Sequence, residues 1–222
     1  MPRTNAFHVL FPTTDHPQLW RPLRDRMTGP GGFYNVGNAL GLAGGVALAV
    51  AASGPTLSEG ARAAWDHLAG SASALSITVA MLIFFWGGEA YHRAWANGFP
   101  PDARLNRWGD LLSAVGALAL GLGLFLIGEA LLAATAGLLH AAGKLGSALK
   151  GPDPAAPAAR WPDPFRAAVV ASRLPAIALV LLAIGGALAA PGSPAPAELA
   201  APALLLVCYL LWMRADLLLL RS

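Results

Sequence analysis

Residues Glu129–Leu149 read EALLAATAGLLHAAGKLGSAL, and the number of times this chain crosses a bilayer turns on that one segment. At helical spacing, Glu129, Ala133, Ala136, His140, Lys144 and Ser147 fall on one stripe. Leu131, Leu132, Leu138, Leu139, Leu145 and Leu149 fall on the other side. Two structures satisfy this pattern. An amphipathic helix can lie in the membrane interface with its polar stripe in water. A spanning helix can instead turn a small, weakly polar face toward neighbouring helices and its leucines toward lipid.

The surrounding sequence establishes that a bilayer is the solvent. Of the 222 residues, 56% are hydrophobic and 12% are charged, and the mean hydropathy is +0.55. A soluble domain carries about 25% charged residues, so this chain has too few to cover a water-facing surface. Five further segments are apolar enough to span or nearly span: Val36–Ser53, Leu68–Gly88, Leu111–Gly128, Leu174–Ala190 and Leu199–Leu220. A hydrocarbon core about 30 Å thick needs about 20 helical residues.

Charge placement discriminates between five and six crossings. With six spans and the N-terminus inside, the cytoplasmic side holds every Arg and Lys except Arg62. Five spans would divide the same residues about equally. The bias of basic residues toward the cytoplasm therefore favours six spans. The expected fold is an all-α, polytopic bundle of six spans with both termini cytoplasmic. Its alternative is five spans plus one interfacial amphipathic helix. A bacterial cytoplasmic (inner) membrane is the expected location.

The expected organisation is a cytoplasmic arm over residues 1–33, followed by a transmembrane domain over 34–222. Residues 151–164 form a proline-rich cytoplasmic linker with Pro152, Pro154, Pro157 and Pro162. The first 33 residues contain no apolar signal-peptide core, and Asp15, Pro17, Asp25 and Arg26 interrupt them. Trp20, Trp95, Trp108, Trp161 and Trp212 fall near the cytoplasmic ends and are expected to anchor the interface there. The basic residues flank apolar segments instead of forming a block, so no nucleic-acid partner is expected.

Small residues recur on two spans, as Gly37, Gly41 and Gly45 and as Ser113, Ala117 and Gly121. Such rows let helix backbones approach closely, either within one bundle or against partner subunits or a second copy. Ionisable groups inside a membrane are costly, so each is a candidate for function. Glu89, His92, Arg93, Glu129 and His140 form the candidate polar site. Glu89 and His92 share a face, as in carboxylate-bridged metal bundles, but no second Glu-x-x-His occurs, and no metal site is expected. A haem would need histidines at matching depth, and His67, His92 and His140 do not pair readily. No cofactor is therefore expected, with haem or pigment as a remote alternative. No nucleotide loop, HExxH or nucleophile elbow occurs, and no catalytic residue is assigned. The sequence favours a non-catalytic accessory, assembly or scaffolding subunit of a membrane complex. A small proton- or ion-coupled transporter or channel is the rival.

Overall fold

The computed structural model describes residues 29–52, 71–98, 100–151, 163–192 and 196–220, and all its regular elements are helices. They are α1 (Gly29–Ala52), α2 (Ala72–Ala94), α3 (Ala103–Leu126), α4 (Ala130–Leu132), a π-helical segment (Ala133–Leu139), α5 (His140–Lys150), α6 (Pro164–Ala171), α7 (Leu174–Ala189) and α8 (Pro196–Leu219). Among the described residues, four helical stretches are long and apolar enough to cross a membrane: Ala72–Ala94, Ala103–Leu126, Pro164–Ala189 and Leu199–Leu219.

α1, α3 and α8 begin earlier than hydropathy alone suggests, and capping groups mark the starts of α3 and α6. α3 starts where the Asp102 carboxylate accepts from the Leu105 amide at 2.8 Å. α6 starts where Asp163 accepts from the Phe165 and Arg166 amides at 2.8 and 3.1 Å, with Pro164 in the first turn. Partial burial pushes the Asp163 carboxyl up, but the Lys150 ammonium and these amides outweigh it and hold its pKa below the usual value. α1 begins at Gly29, and Gly31 in its first turn lies against the α2 backbone at His92.

The turn after α3 is tight because Gly128 makes it so. Its φ of +88° lets the Gly128 amide donate to the Phe125 carbonyl and the Glu129 amide to the Leu124 carbonyl, at 3.0 and 2.9 Å. That is a Schellman stop, and it reverses the chain within three residues. The returning segment then presses its backbone on α3. A Cβ built on Gly137 would lie 2.6 Å from the Gly121 Cα, a distance no side chain tolerates. The π-helical turn falls at this crossing.

In the Glu129–Leu149 segment, Ala133, Ala136, His140, Lys144 and Ser147 are all buried, while Leu138 and Leu149 are 64% and 73% exposed. The polar stripe faces the protein and the leucines face outward. The same inversion holds elsewhere: Leu122 and Leu182 are exposed, and the buried set includes Asn38, Asn106, Asp110, Arg166, Arg173 and Asp216. An apolar exterior around a polar interior is what lipid as solvent requires.

The described members of both expected small-residue rows pack within the chain. Gly37 faces the Trp212 indole and Gly41 faces Cys208 on α8. Ser113 and Ala117 are buried, and Gly121 meets Gly137. The surroundings of Gly45 lie outside the described residues.

Candidate functional site

Residues from six helices meet at one end of the bundle. Tyr34 lies near the start of α1, Tyr91 near the end of α2 and Asp110 in the first half of α3. Lys144 lies on α5, Arg166 in the first turn of α6 and Asp216 in the last turn of α8. Arg173 joins them from the break between α6 and α7. Pro175 has no amide to continue the helix there, and the Arg173 amide donates instead to the Val170 carbonyl at 3.1 Å. That kink turns both Ser172 and Arg173 inward, to 0% and 2% exposure.

Lys144 is the centre of the cluster. Its Nζ donates to the Tyr34 hydroxyl at 2.7 Å and to the Tyr91 hydroxyl at 3.1 Å. The two phenol rings stack on each other at 5.1 Å, and the ammonium lies 4.9 Å from each centroid. Each hydroxyl then donates to a carboxylate, Tyr34 to Asp216 and Tyr91 to Asp110. Each carboxylate in turn is held by a guanidinium. Arg166 grips Asp110 through both terminal nitrogens, at 2.6 and 2.9 Å, and Arg173 Nε donates to Asp216 at 2.9 Å. Two arms of the same composition, Arg–Asp–Tyr, therefore converge on one lysine. Lys144 lies 3.2 Å from Asp216 and 3.8 Å from Asp110.

His140 extends the arm that holds Asp216. The Ser172 hydroxyl spends its one proton on the Val169 carbonyl at 2.6 Å, so it can only accept from His140 Nδ1 at 2.9 Å. The lone pair is then on Nε2, which faces Arg173 Nη2 at 3.3 Å. Hydrogen bonding thus fixes a neutral imidazole with its proton on Nδ1. Formal charges among these side chains are three positive (Lys144, Arg166, Arg173) and two negative (Asp110, Asp216), leaving one positive charge in excess.

Of the five residues of the candidate polar site expected from sequence, only His140 belongs to this cluster, although Lys144 shares its polar stripe. Glu89 and Arg93 pair with each other at 2.8 Å, both partly exposed, at the end of α2. His92 is partly buried beside them, and its backbone lies against Gly31 of α1. Glu129 is exposed at the Gly128 turn. Trp212 is not an interfacial anchor: it is 3% exposed, packs on Phe84 and Tyr209, and donates through Nε1 to Asn38 at 2.9 Å. Trp95 donates to Asn106 at 3.1 Å, and Trp108 is 44% exposed. Trp20, Trp161 and His67 lie outside the described residues.

Both ring nitrogens of His140 are engaged by protein groups, Ser172 and Arg173. Among the described residues, no group of three or more His, Cys, Asp or Glu side chains could hold a metal ion.

Fold and site together define an all-helical membrane protein with a charged interior. The chain matches no family model, no curated protein and no solved structure with which it was compared.

Proposed function

We propose that this chain is a six-span protein of a bacterial inner membrane, with both termini cytoplasmic, acting as a small ion-coupled carrier through Lys144. Three observations support the topology. The Glu129–Leu149 segment buries its polar stripe, as a spanning helix would and an interfacial one would not. The starts of α1, α3 and α6 meet the ends of α2, α5 and α8, so the helices alternate in direction. The end where they meet also carries Arg93, Arg104, Arg107 and Lys150.

One observation carries the function: five formally charged side chains, none more than 3% exposed, gathered around a lysine with two alternative carboxylate partners. Helix bundles do not need this for stability. Replacing a buried ion-pair group by apolar residues is often neutral or stabilising by about 1–4 kcal/mol. A carrier does need it, because a cation shared between two similar arms is an element that ion entry can tip either way. The protein is non-catalytic on this reading.

Reconstitution into liposomes tests the proposal. Proton and halide flux are measured under imposed gradients, with Lys144→Met as the comparison. Flux in the unaltered protein and its loss in the variant are expected. An unaltered protein that moves neither ion would end the carrier reading.

A second reading, an accessory subunit of a membrane complex, has one specific observation in its favour. Ala176 is the one residue of α7 that is buried, and Gly185 and Gly186 face open space on that helix. Gentle extraction from the native membrane decides it: a lone monomer would argue for lipid, not protein, against α7.

A further inference from the structure

Beside the ion cluster lies a cavity of about 10 Å³ (the space open to the centre of a water molecule), walled by Tyr34, Asn38, Phe84, Ser113, His140, Arg173 and Trp212. That is room for about one water-sized particle. Two of its wall residues carry a buried donor with no hydrogen-bond partner among the described residues: Asn38 Nδ2 and Arg173 Nη1. The Asn38 amide cannot be turned round to hide this. Its oxygen accepts from the Trp212 indole, which can only donate, so the NH₂ is fixed as the free end. Arg173 has its other nitrogens committed to Asp216 and His140.

We propose that this cavity binds one small monatomic anion, a halide, between Asn38 Nδ2 and Arg173 Nη1. The proposal deepens the carrier reading by naming the ion. Three facts converge on it. Both unpartnered groups are donors, so the occupant must accept. The surrounding cluster carries one excess positive charge, which a low-dielectric interior penalises strongly and an anion would cancel. The volume excludes polyatomic anions such as sulfate or phosphate. A water would satisfy the geometry but leave the charge.

The test is the thermal midpoint of the purified protein in sodium gluconate, titrated with sodium fluoride and sodium chloride, with binding heats measured in parallel. A saturable rise in Tm with halide is expected, and none with sulfate at equal ionic strength. Asn38→Asp places a carboxylate where the anion would sit and keeps the acceptor for Trp212, so its Tm should lose the halide dependence. Halide-independent melting of the unaltered protein would mean that the cavity holds water only, and the proposal fails. So would a halide response undiminished in the Asp variant. Should that variant not fold, Asn38→Leu serves, with an expected weakening of at least tenfold in halide affinity. Liposome flux separates this inference from the carrier reading. Halide binding without flux keeps the site and ends the carrier, and proton flux with halide-independent melting does the reverse.

Discussion

Lys144 and the two aspartates differ in what their removal leaves behind. Without Lys144, two guanidiniums still face two carboxylates, and the cluster is neutral. Without either aspartate charge, three cations face one anion. Removing one partner of a buried ion pair costs about 3–5 kcal/mol, because the other is left unpaired. Lys144→Met should therefore melt close to the unaltered protein in detergent, whereas Asp216→Asn and Asp110→Asn should each lose about that much stability. Equal damage from all three would show that the lysine is structural and that the cluster carries no excess positive charge. None of this could be read from single residues. Asp110 and Asp216 stand near the ends of apolar segments, where a charge ordinarily reaches headgroups, and only their partners reveal that they point inward.

At the level of elements, α3 and the π-helical segment cross in close backbone contact. Gly137→Ala would drive a methyl into the Gly121 backbone, and overpacking of this kind costs about 1–3 kcal/mol. The same change at Gly185 meets open space and should be neutral or slightly stabilising, since alanine is the better helix former by up to about 1 kcal/mol. Paired melting curves of the two variants check this, and similar losses at both sites would contradict the packing described. Both glycines look alike in sequence. Spacing singled out Gly37, Gly41 and Gly121, which lie against α8 and the π-helical segment, but it carried no information on whether their partner was the same chain or another.

For the molecule as a whole, the proposed topology places the exposed residues Asn97 and Arg104 on one side of the membrane and Glu129 and Pro191 on the other. Single cysteines introduced at these positions, in a background with Cys208→Ala, should react with an impermeant maleimide from the cytoplasm in the first pair only. Labelling of residue 129 from the cytoplasm would reduce the crossings and return Glu129–Leu149 to the interface. The molecule also explains why α7 is the least buried long helix: its residues are almost all aliphatic, with no polar group to bring inside, so lipid serves as well as protein.

Sequence by itself determined that the chain lives in a bilayer and which face of Glu129–Leu149 is polar, because composition and helical period are local quantities that each segment carries alone. The tertiary structure decided that this polar face looks inward and that Lys144, rather than Glu89 or Glu129, is its centre. It did so because a buried charge is tolerable only where partners converge. Here the partners lie 34 residues away at Asp110 and 72 away at Asp216, across a contact that no local pattern encodes.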